Sequence, residues 1–163
     1  MINFTANQNM PIVNPTTSSP KPSNNIPLIN IIWTNSIDST YFFLSLSSNS
    51  RKKRQASVTP IYIAFGLSTD QEMGNDDVAV CQLNSDGSVH LYHYYNEGLY
   101  APRYLSSSDG IVGFSNITTS VNDGNPTCSF TRAKTMPGVP NYFDVNNQFY
   151  ILTASGSVSS SGK

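Results

Sequence analysis

The 163 residues are enough for one domain with tails, and a net charge of −1 gives no electrostatic basis for binding nucleic acid or an anionic membrane. Charged residues make up 12% of the chain, while Ser, Thr, Asn, Tyr and Phe are abundant, a composition typical of strands and turns. No run reaches the ~18 apolar residues of a transmembrane helix, and the start, MINFTANQNMP, lacks the features of a signal peptide.

The two ends of the chain have the composition of unstructured segments. Residues 1–25 contain four prolines among Asn, Ser and Thr without apolar periodicity, and we expect them to form a disordered tail. The end of the chain, SGSVSSSGK, resembles a linker, so residues 156–163 are expected to form a flexible tail. The globular domain is therefore predicted over residues 26–155.

Between the tails lie short runs that favour β-strands, separated by turn signals and without a convincing helix. In chain order they are IPLINIIW, STYFFLSL, VTPIYIAFGL, DVAVCQL, SVHLYHYY, GIVGFSNITTSV, TCSFTR and NNQFYILTA. Alternation places Ile63, Phe65 and Leu67 on one face of their strand. The turn Asn84-Ser85-Asp86-Gly87 makes Val78 to Tyr95 a β-hairpin. The number and spacing of these runs predict an all-β sandwich or barrel.

The most specific pattern lies in the middle of the chain. A strand ends in a small-residue turn, a Met-Gly pair follows, and an acidic residue opens the next strand. Later come a Phe-x-Arg strand and an aromatic strand that runs into Ala-x-Gly, while a Trp stands in an early strand. The matching residues are Ala64 to Ser68, Met73, Gly74, Asp76 or Asp77, Phe130 to Arg132, Phe149, Ala154 to Gly156 and Trp33. Over about 28–156 the chain resembles the DOMON family.

The resemblance implies an immunoglobulin-like β-sandwich in an extracellular or cell-surface location. Some family members bind haem b, and others are thought to bind sugars or to contact partner proteins. Fold alone does not choose between these functions. Because no leader is visible, the chain is either cytosolic or an incomplete form of a secreted protein. The cysteines and the resemblance favour the second alternative.

The resemblance also implies a role for Met73, which matches an axial haem ligand of the family. The alternative is that Met73 is a flexible apolar filler. Ile63, Phe65 and Leu67 are expected to line an apolar pocket near it. The second family ligand, a His beyond the last strand, has no counterpart here. His93, predicted to point inward, is a weak alternative second ligand, and His90 is expected to face solvent.

Cys81 and Cys128 lie on two predicted strands, and either a disulfide or a reduced buried pair is compatible with the sequence alone. Related DOMON proteins often carry cysteines in these strands, so the resemblance implies a disulfide. Asn3 and Asn116 begin matches to the glycosylation acceptor pattern, which also occurs by chance.

Two clusters of charge need an interpretation. Four acidic residues surround Met73 but lack the spacing of a calcium loop, so no metal site is predicted; they are Asp70, Glu72, Asp76 and Asp77. Asp77 is expected to hold loop amides by hydrogen bonds. The basic run from Arg51 to Arg54 is either a processing site or a solvated turn, and we favour the turn.

No phosphate-binding loop, nucleophile elbow or zinc spacing is present in the sequence, and we do not expect an enzyme. The favoured function is an extracellular module that binds a carbohydrate or a cell-surface protein through exposed aromatic side chains; the candidates are Tyr92, Tyr94, Tyr95, Tyr100 and Tyr104. Cross-strand pairing is the other explanation of these tyrosines. The alternative function is a haem b electron-transfer domain that works with a membrane cytochrome or an oxidoreductase.

Overall fold

The structure is a computed structural model that describes residues 4–7, 28–47, 58–98, 102–107 and 110–158. Within these ranges the chain forms strands and turns and no helix. The strands are β1 (Phe4–Asn7), β2 (Leu28–Asn35), β3 (Ser39–Ser47), β4 (Ile61–Ser68), β5 (Asp76–Leu83), β6 (Val89–Asn96), β7 (Arg103–Tyr104), β8 (Ser106–Ser107), β9 (Gly110–Ile111), β10 (Phe114–Asn122), β11 (Asn125–Ala133) and β12 (Tyr150–Ser157).

Two five-stranded sheets form the sandwich. The first has the order β1-β2-β3-β11-β10, and the second has the order β12-β4-β5-β6-β7. Neighbouring strands run antiparallel except for β1 and β2, which are parallel, and β8 pairs with β9 in a small separate ribbon. The predicted all-β, immunoglobulin-like sandwich is confirmed.

The core lies between the sheets because alternate side chains of each strand point inward. The first sheet contributes Trp33 and Phe42, and the second contributes Ile63, Phe65 and Leu67, all of them buried as the alternation predicted. The rings of Phe42 and Phe65 stack across the sandwich with centroids 4.9 Å apart. Each of these side chains stabilises the fold by roughly 1.5–3 kcal/mol when fully buried.

A disulfide crosses the core. Cys81 on β5 and Cys128 on β11 are bonded, and their Cα atoms are 5.9 Å apart. Both residues are fully buried. The predicted disulfide is confirmed, and it ties β5, the central strand of the second sheet, to β11 of the first sheet.

The predicted hairpin is also confirmed. Strands β5 and β6 pair in register from Asp76–Asn96 to Leu83–Val89. In the turn, the Asn84 amide donates to the Ser88 carbonyl at 2.8 Å, and Gly87 has a φ of 85°, a conformation that favours glycine.

The two ends differ in detail from the expected boundaries. Residues 4–7, expected in a disordered tail, form β1 at the edge of the first sheet. Strand β12 continues to Ser157 because Gly156 and Ser157 pair with Tyr62 and Ile61, two residues beyond the expected boundary at 155. The rest of residues 1–25, Asn3 included, and the basic run at 51–54 lie outside the described residues.

Candidate functional site

Asp77, near the start of β5, is the centre of a buried polar cluster between the sheets. Its Oδ2 accepts hydrogen bonds from Arg132 Nη2 at 2.6 Å and from the Phe143 amide at 2.9 Å. Its Oδ1 lies 2.8 Å from His93 Nε2. These three side chains and the Phe143 backbone are called the Asp77 network. The expected hydrogen bond to a loop amide is confirmed at Phe143, and the two side-chain partners, Arg132 and His93, are additional.

His93 has hydrogen-bond acceptors at both ring nitrogens. Nδ1 lies 2.9 Å from the Val112 carbonyl oxygen, and Nε2 faces the Asp77 carboxylate. The carbonyl and the carboxylate both accept hydrogen bonds, so each ring nitrogen faces an acceptor of the protein. The ring is fully buried and stacks on Phe114 at 4.3 Å. Both nitrogens are committed inside the sandwich, which leaves none to ligate iron beside Met73 as the sequence interpretation had allowed.

Arg132 completes the Asp77 network from β11. Its Nη2 also donates to the Phe143 carbonyl at 2.8 Å, and its guanidinium lies 4.0 Å from the ring centre of Tyr142, a cation–π contact. Burial tends to raise the pKa of Asp77, but the charge of Arg132 and the hydrogen bond from His93 lower it overall. Burial raises the pKa of the Tyr142 hydroxyl to about 12. The network is therefore a closed ionic link between the sheets.

A groove of about 690 Å³ lies on the outer face of the second sheet, opposite the core. Its floor consists of small or medium apolar side chains that alternate with core residues along β4, β5 and β12. They are Ala64, Gly66, Val78, Val80, Leu152 and Ala154. This is called the outer groove. Strand β4 carries apolar residues on both faces, and its residues from Ile63 to Ser68 are buried.

Gly66 lies in the centre of this floor. A Cβ atom there would lie 3.4 Å from Val78 and 3.8 Å from Leu152, both on neighbouring strands. The missing side chain therefore leaves space above the sheet between these two residues. The backbone at Gly66 does not adopt a positive φ. Glycine at this position therefore matters for the space it leaves above the sheet and not for its backbone conformation.

Met73 lines one end of the outer groove and is 68% exposed. The expectation that Ile63, Phe65 and Leu67 line the pocket beside it is wrong, because those side chains point into the core. Their outward-pointing neighbours Ala64 and Gly66 line it instead. The alternation was predicted correctly, but the pocket lies on the opposite face of the strand.

The residues of this chain supply only part of the donor set that haem would need. The lining of the groove includes the thioether of Met73 and no imidazole. His90 points to the outer face, but it pairs with Gln82, six residues along β5 from Asp76. At about 3.3 Å per residue, that separation is roughly 20 Å, too far for one iron to bind both side chains. The described residues therefore do not fit a haem with methionine and histidine ligands.

Asp76 also lines the outer groove, and its carboxylate is buried. Oδ2 accepts a hydrogen bond from the Gly74 amide at 2.7 Å, whereas Oδ1 is buried without a hydrogen-bond partner. The other acids near Met73, Asp70 and Glu72, are exposed. Among the residues that the structure describes, no three His, Cys, Asp or Glu side chains are placed to hold a metal ion.

The remaining site candidates lie on the surface. Asn116 is exposed at an irregularity of β10 and stays a glycosylation candidate. The rings of Tyr92, Tyr94 and Tyr104 contact one another with centroids 5.4–5.9 Å apart, so they pack as a cross-strand cluster. Tyr100 lies outside the described residues. The described part of the chain contains no helix of the length and apolarity that a membrane crossing requires.

Comparison with known proteins connects this geometry to a family. The family model described as "DOMON domain" matches residues 35–156. "Ferric-chelate reductase 1" of Homo sapiens is 36% identical over 96 residues, which is 59% of this chain and 15% of that protein. The Bos taurus protein of the same name is 35% identical over 96 residues, again 59% of this chain and 15% of the relative.

A shorter relative is also named for its DOMON domain. "DOMON domain-containing protein FRRS1L" of Mus musculus is 30% identical over 99 residues, which is 58% of this chain and 31% of that protein. The chain thus spans less than a third of each of these relatives. No solved structure matches it. Since the family model covers well over half of the 163 residues, the chain belongs to the DOMON family.

Proposed function

We propose that the chain is a non-catalytic, extracellular DOMON module that binds a small and mostly apolar ligand in the outer groove. The observation behind this proposal is that the outer face of the second sheet, which does not pack against the core, has an apolar floor. Its volume of about 690 Å³ falls within the ~300–1,000 Å³ of ligand pockets, which are mostly apolar with a few polar groups. Asp76 and Gln82 are polar groups of this kind.

The other parts of the structure support a binding role over catalysis. His93, Asp77 and Arg132 form a cluster of titratable side chains in which all three are buried and His93 and Arg132 each contact Asp77. A general base has to come within hydrogen-bond reach of a substrate, and these side chains are enclosed between the sheets. The disulfide supports an extracellular location, because disulfides persist in oxidising compartments.

Filling the groove tests the proposal. Replacing Gly66 with leucine puts a branched side chain above Val78 and Leu152 without backbone strain. We expect phenylbutanol, a neutral apolar probe, to bind at least about tenfold more weakly to Gly66→Leu, since tenfold corresponds to ~1.4 kcal/mol. Isothermal titration calorimetry measures the difference.

The control is Val121→Leu, which ends in the same leucine side chain but adds only one methylene, at an exposed position on the other sheet. This variant should bind phenylbutanol as the unmodified protein does. Equal affinity of Gly66→Leu and Val121→Leu, or no binding to any of the three proteins, would refute the proposed groove function.

The second candidate function is a haem b domain for electron transfer, and the position of Met73 at the groove favours it. The names of the ferric-chelate reductases agree with a redox setting. In this case an imidazole from outside residues 1–163 has to complete the iron coordination. Haem would supply the redox change, while the groove would exclude water and Met73 would contribute a thioether.

Haem titration separates the two candidates. We expect residues 1–163 to bind haem weakly and without a methionine–histidine spectrum, because a thioether alone holds iron poorly. Visible absorption spectra of the oxidised and reduced mixtures report this, with Met73→Ala as the comparison. Sharp low-spin bands that depend on Met73 would contradict the expectation. If the haem candidate is right, a longer chain that adds an imidazole should bind haem, and Met73→Ala should then lower the reduction potential; if the first candidate is right, the longer chain should bind haem no better.

A further inference from the structure

We infer that the outer groove selects ligands with a positively charged amine, and that this ammonium group donates to Oδ1 of Asp76. The inference rests on the proposed function and specifies its ligand: an amphiphile with an apolar body and an ammonium end. Nothing else described in the groove carries a full charge, because its lining contains Asp76 and no Lys, Arg or Glu.

The first argument is the unpartnered oxygen itself. Asp76 is 1% exposed, and its Oδ1 has no hydrogen-bond partner. A buried polar atom without a partner costs roughly 1–3 kcal/mol, and more if it is charged. Proteins rarely leave such an atom unsatisfied without a functional reason. A ligand that donates to Oδ1 removes this cost.

The second argument is that the local backbone holds the carboxylate in place. The Gly74 amide donates to Oδ2 at 2.7 Å, which leaves Oδ1 for another donor. Gly74 has a φ of 136°, and a Cβ there would lie 2.9 Å from Gly98 Cα. The loop before Asp76 therefore accepts only glycine at this point. It fixes the carboxylate at the end of the groove where Met73 lies.

The third argument is the charge around the groove. Residues 58–98, which supply β4, β5, β6 and the Met73 loop, contain no Lys or Arg. Asp70 and Glu72 are exposed on the loop that carries Met73. Arg103 on β7 forms an ion pair with Glu97 at 3.3 Å. The local field therefore favours a cation over a neutral donor and disfavours an anion.

Because Oδ1 is buried, a ligand that donates to it has to displace a neighbouring group. Met73 is an unbranched side chain that is 68% exposed, so it can change rotamer at little cost. The apolar body of the ligand then lies over Gly66 and Val78, which line the groove next to Asp76. An ammonium end and an apolar body thus have separate, adjoining binding surfaces.

A series of probes with one apolar body tests the inference. Phenylbutylamine, phenylbutanol, phenylbutyl methyl ether and 5-phenylpentanoate share the phenylbutyl body and differ in the terminal group. We expect the amine to bind about tenfold or more tightly than the ether, as hydrogen bonds to charged groups contribute ~1.5–3 kcal/mol. The alcohol should be intermediate and the carboxylate weakest. Isothermal titration calorimetry measures the four affinities and therefore their order.

Asp76→Asn should remove the preference for the amine, since its amide can still accept from Gly74 while its NH₂ group donates towards the groove. The matched control is Glu72→Gln, which removes a nearby exposed carboxylate that does not line the groove. This control should keep the preference for the amine. Thermal unfolding followed by circular dichroism verifies that both variants fold.

The possible failures are distinguishable. If all four probes bind equally and Gly66→Leu weakens each of them, the amine inference is overturned and the proposed groove function stands. If no probe binds in a manner sensitive to Gly66→Leu, both are overturned. Equal loss of the amine preference in Asp76→Asn and Glu72→Gln assigns the effect to the general field and overturns the contact with Oδ1. If Asp76→Asn does not fold, the order of the affinities of the four probes for the unmodified protein still tests the amine inference.

Discussion

Replacing Asp77 with alanine is expected to lower the free energy of unfolding at neutral pH by about 3–5 kcal/mol, the range for breaking a buried ion pair from one side. The change removes the acceptor shared by Arg132, His93 and the Phe143 amide. Arg132, which is 1% exposed, then remains buried without its counter-ion, and the buried ring of His93 loses its carboxylate partner. Urea unfolding, followed by the fluorescence of the buried Trp33, measures the loss.

The same experiment has a predicted pH dependence. The pKa of Asp77 in the folded protein is lowered from the ordinary value of 3.8. Its ionised form is therefore stabilised by folding, and this stabilisation is complete above that value. As the pH falls from 3.8 through the lower folded-state pKa, the contribution disappears. The stability difference between the unmodified protein and Asp77→Ala should therefore shrink in acid.

Glu72→Gln is the control for Asp77→Ala, because it removes an exposed carboxylate from the loop that precedes β5. Surface substitutions of this kind usually change stability by less than ~0.5 kcal/mol. If Asp77→Ala costs no more than this control at pH 7, or if its cost does not decrease in acid, the Asp77 network does not link the sheets as described.

Removing the disulfide should have an effect of similar size. The bond joins residues 47 positions apart, and closing such a loop in the unfolded chain stabilises the fold by roughly 4 kcal/mol in the chain-entropy model. The double variant Cys81→Ala/Cys128→Ala should lose about this amount, together with some core packing. Denaturant unfolding with and without reductant measures it.

The double alanine variant also provides the internal control. A reductant should destabilise the unmodified protein and leave the variant unchanged. Mass spectrometry of the unreduced protein should find no free thiol at Cys81 or Cys128, which are the two cysteines of the chain. Two free thiols in secreted protein, or a stability that does not respond to reductant, would contradict the bridge.

Much of the fold was predictable because β-strands have a period of two. The alternation in β4 placed Ile63, Phe65 and Leu67 in the core correctly, and the Asn-Ser-Asp-Gly turn fixed the β5–β6 hairpin. The end of β12 was less predictable, since Gly156 and Ser157 are typical of linkers. Their place in the sheet comes from pairing with Tyr62 and Ile61, which no local pattern reveals.

The site was less predictable than the fold. The Asp77 network joins residues 16 and 55 positions apart, so it depends on how the sheets pack. The sequence does contain a pattern that indicates the outer groove. The runs IYIAFGL and VAV are nearly continuously apolar, which is typical of strands covered on both faces. The alternation of Ile63, Phe65 and Leu67 alone placed the apolar pocket on the core side. The structure has apolar surfaces on both sides of β4.

Mapping of a bound probe on the protein tests the central claim most directly. Phenylbutanol is titrated into the isotope-labelled protein, and the amide resonances are followed by nuclear magnetic resonance. The account predicts saturable shifts confined to the strands under the outer groove, with Gly66, Val78 and Ala154 among them, and their loss in Gly66→Leu. Shifts centred instead on the tyrosine cluster of Tyr92 and Tyr104, or unchanged in Gly66→Leu, would contradict a DOMON module that binds its ligand in this groove.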